Sequence, residues 1–170
     1  VLTKKDDFFV DECHNKDLIN FIPIKSDNLK LLGVWSFNHR ASKFGSNVSG
    51  NTIDAINFYR DWFGNDNEKC IVAGDFNNSV IWDKKGNVNN FKNINDHLVD
   101  LGFVSNYHKI EGEAFGEESA ATFFHTKKES KKYHIDYIYS KNLSPLELKV
   151  GLYSEWISYS DHSPLIVELR

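Results

Sequence analysis

The sequence predicts a single α+β or layered α/β domain, and three observations lead to this prediction. The chain has 170 residues, a usual length for one domain. Hydrophobic residues make up 41% of it and aromatic residues 14%, enough to bury a sizeable core. Short segments rich in β-branched and aromatic residues recur along the chain, and two segments with helical spacing of apolar residues interrupt them.

The first part of the chain is predicted to form strands. "DDFFVDE" at 6–12 and "LINFIPI" at 18–24 are two short candidates, and "LKLLGVWSFN" at 29–38 is a third with a stronger apolar run. Trp35, within this third strand, is expected in the core. The segment 39–51 is rich in Gly, Ser and Asn and is long for a simple connection, which favours a functional loop.

Two helices and a strand are predicted next. Residues 52–63 carry an apolar stripe at helical spacing, with Asn51 or Thr52 able to cap the first turn. The run "KCIVAG" at 69–74 is a buried strand. Residues 94–103 form a second, shorter helix that ends near a glycine.

The remaining segments are predicted as strands because they are enriched in aromatic and β-branched residues. They are "GFVSNYH" at 102–108, "AATFFHT" at 120–126, "YHIDYIYS" at 133–140 and "SPLIVEL" at 163–169. The resulting order is strands, helix, strand, helix and then strands, which is the order expected of an α+β domain.

The first polar cluster, Gly74-Asp75-Phe76-Asn77, follows the strand at 69–74. Glycine permits a tight turn there, and alternation along a strand places Phe76 in the core and Asp75 and Asn77 on the opposite side. Open sheets often place ligands at this end of a strand. The alternative is an ordinary turn, in which Asp and Asn are common.

Two further clusters also adjoin strands. In "YHIDYIYS", alternation places His134, Asp136 and Ile138 on one face, and a carboxylate among apolar neighbours needs a partner. The alternative is an edge-strand acid that faces water. In "SDHSPL", Asp161 and His162 are adjacent just before a strand, and the alternative there is a solvated turn.

The three clusters predict one site if their strands lie side by side. The side chains that would then converge are Asp75, Asn77, Asp136, Asp161 and His162. Carboxylates with an amide and an imidazole suit a divalent metal ion and a phosphate group.

The motifs "GDFN" at 74–77, "HIDYI" at 134–138 and "SDHSPL" at 160–165 resemble, in this order, the endonuclease/exonuclease/phosphatase family. The resemblance covers roughly residues 20–170. It implies a four-layer α/β/β/α sandwich and a Mg²⁺-dependent (or Mn²⁺-dependent) phosphoester hydrolase, above all a phosphodiesterase or nuclease. The implied partner is a phosphoester substrate, with nucleic acid among the candidates.

The resemblance also implies roles for individual residues. Asp75 corresponds to the acid that orients or deprotonates the attacking water, and Asn77 to an amide that contacts the phosphate. His162 corresponds to an imidazole that faces the phosphate and is held by Asp136. Asp161 is the implied metal-side acid.

Two further expectations follow from the resemblance. His39, or Asn38 beside it, occupies the place of another phosphate-contacting residue. The family's metal-binding Glu lies ahead of anything present here, so residues 1–170 are expected to be one domain that forms the C-terminal part of a larger one and lacks an N-terminal segment. The alternative function is a non-catalytic phosphate-binding or scaffold relative without the main metal ligand.

Charge and cysteine content set broader bounds. The net charge is −4, so no basic excess indicates a nucleic-acid binder, although a local positive groove is compatible with it. Two cysteines, Cys13 and Cys70, favour a reducing compartment, hence the cytoplasm. No apolar run approaches the ~20 residues that span a bilayer, so no membrane association is expected.

Overall fold

A computed structural model describes residues 8–37, 52–64 and 67–170. Its strands are β1 (Phe9–Val10), β2 (Phe21–Lys25), β3 (Lys30–Trp35), β4 (Cys70–Asp75), β5 (Val104–Ser105), β6 (Phe123–Phe124), β7 (Lys132–Tyr133), β8 (Asp136–Lys141), β9 (Pro145–Val150) and β10 (Leu165–Leu169). Its α-helices are α1 (Thr52–Phe58), α2 (Phe91–Asp100), α3 (Asn106–Glu111) and α4 (Tyr153–Trp156). The predicted α+β class is confirmed.

One mixed sheet forms the centre of the fold, in the strand order β1-β2-β3-β4-β8-β5. Strands β3 and β4 are parallel, and α1 lies between them in the chain, as a parallel pair requires a crossover. Strand β8 pairs antiparallel with β4, so the end of β4 lies beside the start of β8. Two small antiparallel pairs, β9 with β10 and β6 with β7, complete the described structure.

The core lies between one face of this sheet and the helices. Alternate residues of the central strands point into it, and Phe76, just beyond β4, is fully buried there. Its ring centroid is 5.4 Å from that of Tyr137 on β8 and 6.2 Å from that of Phe91 on α2. Aromatic side chains of this kind contribute much of a small domain's apolar burial.

The opposite face of the sheet carries exposed apolar side chains on β2 and β3. Ile22 is 42% exposed and Trp35 is 56% exposed. The expectation that Trp35 is a core residue is therefore wrong: alternation puts its neighbour Val34 in the core and turns Trp35 to the other face. The face-to-face packing of two complete sheets stays a prediction, because the other described strands form only the two-stranded pairs β9–β10 and β6–β7.

Two differences from the predicted elements have clear causes. The segment 102–108 is a strand only at β5 and then becomes α3, which is capped at its end by Gly112 in the left-handed conformation that favours glycine. Strand β9 was not predicted, although Leu146, Leu148 and Val150 alternate with charged residues there. Nowhere in the described ranges does a helix have the length and apolar character needed to cross a bilayer.

Candidate active site

Gly74 sets the path of the chain into the site. Its φ is +144°, and a Cβ at this position would lie 2.0 Å from the carbonyl oxygen of Val34 on β3. Residues with a side chain rarely adopt such a φ, and a Cβ here would overlap the Val34 carbonyl. Only glycine therefore lets β4 run this close to β3 and place the next residue, Asp75, at the strand end.

Replacing Gly74 by alanine is expected to lower the free energy of unfolding by about 3 kcal/mol, because the change adds both a steric overlap and an unfavourable φ. Gly86→Ala is the matched control: Gly86 also has a positive φ, +80°, but a Cβ there meets nothing within 4 Å. Its expected cost is about 1 kcal/mol. Urea unfolding measures both, and equal losses would contradict the steric argument.

Asp75 and Asn77 form a local hydrogen-bonded unit. The backbone N–H of Asn77 donates to Oδ1 of Asp75 at 2.7 Å, and the side-chain amide of Asn77 donates to Oδ2 at 2.8 Å. Asn77 has a φ of +46°, a left-handed conformation that asparagine tolerates better than most residues. With Phe76 buried between them, the sequence prediction that these two residues share the side opposite Phe76 agrees with the contacts.

Asp136 lies directly opposite Asp75, because these two residues are register partners in the β4–β8 pair. His162 reaches the same point from the segment before β10, and its Nδ1–H donates to Oδ2 of Asp136 at 2.9 Å. That bond leaves Nε2 as the ring nitrogen that can address a substrate. The segment is itself held by a β-bridge between His162 and Phe123. Three clusters separated in sequence therefore meet where β4 ends and β8 begins.

The electrostatics of the site follow from this crowding. Burial, together with the negative charges of Asp136 and Asp161, raises the pKa of Asp75 to about 6, against the lowering effect of the Asn77 hydrogen bond. The hydrogen bond to Asp136 raises the pKa of His162. Near neutral pH, Asp75 is then an ionised base whose proton affinity is unusually high for a carboxylate.

A cleft of about 670 Å³ opens over these residues. Asp75, Asp136 and His162 line it, and Trp35 and Trp156 contribute apolar walls. Trp156 precedes the "SDHSPL" motif, and the sequence made it a residue that could line or plug a pocket. Trp35 was expected in the core instead, and the only available signal for its place here was its position beside the buried Val34. A cleft with apolar walls and a few convergent charged groups is the usual form of a ligand site.

The other predicted residues are placed differently. Asp161 is near enough to influence the pKa of both Asp75 and His162, while His134 is buried away from the cleft, its Nδ1–H donating to the carbonyl of Ala120 at 2.8 Å. His39 and Asn38 lie outside the described residues. Among the residues that are described, no group of three or more His, Cys, Asp or Glu side chains is arranged to hold a metal ion.

Comparison with known proteins gives matches at the level of structure. No family model matches the sequence, and no curated protein does. A 3′ phosphatase, NExo, from Neisseria, solved with a product DNA hairpin, superposes with a TM-score of 0.70 at 16% identity, over 96% of this chain and 70% of that one. An AP endonuclease from Archaeoglobus fulgidus gives a TM-score of 0.63 at 14% identity, over 97% of this chain and 70% of that one.

A third solved structure, from Beutenbergia cavernae, has a TM-score of 0.58 at 12% identity, over 88% of this chain and 38% of its own. At these identities the likeness concerns the fold. Nearly all of the present chain takes part in it, whereas about a third of each of the two proteins above has no counterpart here.

Proposed function

We propose that this chain, which has the fold of the endonuclease/exonuclease/phosphatase family, is a Mg²⁺-dependent phosphoester hydrolase, above all a phosphodiesterase or nuclease. The observation that carries the proposal is the meeting of Asp75, Asp136 and His162 in one cleft, with the imidazole hydrogen-bonded to Asp136. The DNA hairpin bound by the similar Neisseria phosphatase supports nucleic acid as the substrate.

Asp75 is the proposed base. Hydrolysis of a phosphoester needs an attacking water that is oriented and gives up a proton, and the ideal base has a pKa near the working pH. Burial and neighbouring carboxylates raise the pKa of Asp75 to about 6. Two hydrogen bonds from Asn77 fix the carboxylate in place, so that it accepts the proton without reorganising.

His162 and Asn77 are the proposed phosphate contacts. Because Nδ1–H of His162 donates to Asp136, the ring orientation is set and Nε2 is directed away from that carboxylate. The raised pKa of His162 favours the protonated ring, which donates to an anionic oxygen. The amide of Asn77 donates one hydrogen to Asp75 and retains a second for the phosphate.

The donor set suits a hard cation such as Mg²⁺ or Mn²⁺. Carboxylate oxygens are its preferred ligands and one or two of them suffice, because Mg²⁺ keeps several waters. Burial, and after it the negative charges of Asp136 and Asp161, raise the pKa of Asp75, and a cation would neutralise that negative charge. Asp161 is the proposed ligand, and His39 a further phosphate contact. The ion, when bound, would supply charge neutralisation at the phosphate.

A further polypeptide segment is proposed to complete the site. The similar Neisseria and Archaeoglobus proteins are longer, with about 70% of each covered here. The exposed face carrying Ile22 and Trp35 is where additional strands would bury apolar surface and bring the remaining metal ligand to the cleft. In this view residues 1–170 are the C-terminal part of the domain.

The test is a panel of phosphoesters assayed with Mg²⁺, Mn²⁺ or EDTA, on the protein that includes the proposed completing segment. The panel contains bis(p-nitrophenyl) phosphate, p-nitrophenyl phosphate and single- and double-stranded oligonucleotides. We expect turnover of the diester and of an oligonucleotide with Mg²⁺, and its loss in EDTA. Turnover that persists unchanged in EDTA would contradict the metal-dependent proposal.

A non-catalytic phosphate binder is the second candidate. It is favoured by one observation, that the described ranges contain no group of three side chains arranged as metal ligands. This candidate predicts that no ester in the panel is hydrolysed, while inorganic phosphate still shifts the NMR signals of His162.

A further inference from the structure

Thr122 connects the two segments that carry Asp136 and His162. The residue is fully buried. Its Oγ1 accepts hydrogen bonds from the backbone N–H groups of Ile135 and Asp136, both at 3.1 Å, at the start of β8. Its carbonyl oxygen accepts a bond from the N–H of Ser163 at 2.8 Å, one residue after His162.

Further contacts fix Thr122 and the next residue, Phe123, to neighbouring segments. The N–H of Thr122 itself donates to the carbonyl of Tyr133 at 2.9 Å, so the residue is also fixed to β7. The next residue, Phe123, forms the β-bridge with His162, and the centroids of their two rings are 4.8 Å apart. Asp136 and His162 come from segments 26 residues apart, and both are anchored to Thr122–Phe123.

We propose that Thr122 is a positioning residue for the hydrolytic reaction, which sets the distance between the Asp136 carboxylate and His162 Nδ1. The inference rests on the proposed function. The group that does the positioning is the side-chain hydroxyl of Thr122. Two adjacent backbone N–H groups at the start of β8 share its oxygen as their acceptor. Without that acceptor the buried N–H groups are unsatisfied, and the chain moves to find other partners. Displacement of Asp136 then misplaces the imidazole, and a shift of about 1 Å in a reacting group typically lowers turnover about 100-fold.

The variants that test this differ only at the hydroxyl. Thr122→Val keeps the shape of the side chain and removes the acceptor, and Thr122→Ser keeps the acceptor. Ser140→Ala is the control for the loss of a buried hydroxyl, since Ser140 Oγ donates to Asn106 Oδ1 at 2.6 Å near the far end of β8 from Asp136. All variants are compared well below their melting temperatures.

Two readouts are taken. The first is the proton NMR signal of the His162 Nδ1–H, which is protected from exchange while it is bonded to Asp136 and needs no activity. The second is kcat and KM for a phosphodiester. Thr122→Val is expected to lose the protected imidazole signal and to lower kcat about 100-fold with KM unchanged. Thr122→Ser and Ser140→Ala are expected to keep both.

Each outcome decides the inference. A Thr122→Val protein that keeps the imidazole signal overturns it, whether or not any protein hydrolyses an ester; loss of the signal in a series without turnover sustains the positioning and rejects only the proposed reaction. A Thr122→Ser protein that loses the signal overturns it as well. If Thr122→Val does not fold, hydrogen exchange of the wild-type Asp136 amide is the second measurement, and rapid exchange there overturns the inference.

Discussion

Asp75→Asn is expected to lower kcat by about a thousandfold, because it removes the proposed base. The same change is expected to raise the free energy of unfolding at pH 7 by about 2 kcal/mol in the absence of added metal. Burial and the charges of Asp136 and Asp161 disfavour the ionised form of Asp75, and this raises its pKa to about 6. An amide carries no charge and does not incur that cost.

The pH dependence of stability tests whether ionised Asp75 destabilises the folded protein. The folded-state pKa of Asp75 lies above its ordinary value of 3.8, so the stability associated with its protonated form is fully present below pH 3.8 and is lost as pH rises through 6. Urea unfolding of the wild type between pH 4 and 7 should therefore show a loss that Asp75→Asn does not show. The control is Asp96→Asn, a half-exposed acid on α2 that is paired with Lys92, for which no change in kcat is expected. A variant with wild-type turnover would remove Asp75 from the mechanism.

His162→Ala is expected to lower kcat by about a thousandfold as well, since the proposed phosphate contact is lost. The fold should persist, with the free energy of unfolding lower by about 1 kcal/mol, because Asp136 loses its hydrogen-bond partner. Single-turnover kinetics with a phosphodiester and a thermal melt measure the two effects.

The matched control is His125→Ala, which removes an exposed histidine from the segment that follows β6. It is expected to leave both kcat and the melting temperature unchanged. If the two histidine variants had the same turnover, the assignment of His162 as the phosphate-facing imidazole would be wrong.

The sequence predicted the central strands and the meeting of the three motifs because these depend on local patterns. Phe76, Tyr137 and Tyr139 define which side of the sheet is core, and alternation along the strands thereby places their neighbours Asp75 and Asp136 on the other side. The direct opposition of those two acids depends on the β4–β8 register, which no local pattern specifies.

Other features depend on long-range contacts and were not predictable in this way. Trp35 was expected in the core from its residue type alone, yet strand alternation exposes it. Thr122 resembled an ordinary strand residue, and its importance comes from bonds to segments more than ten residues away. The predicted roles of all the site residues stay predictions, and His39 lies outside the described residues.

A double-mutant cycle between Asp75→Asn and His162→Ala tests most directly whether these side chains work as one catalytic unit. The measured quantity is kcat for a phosphodiester with Mg²⁺, for the wild type, the two single variants and the double variant. Residues that act together lose activity non-additively, so we expect the double variant to be no slower than the slower single variant. Losses that simply multiply would mean that the two groups act independently, and the single-site account would be wrong.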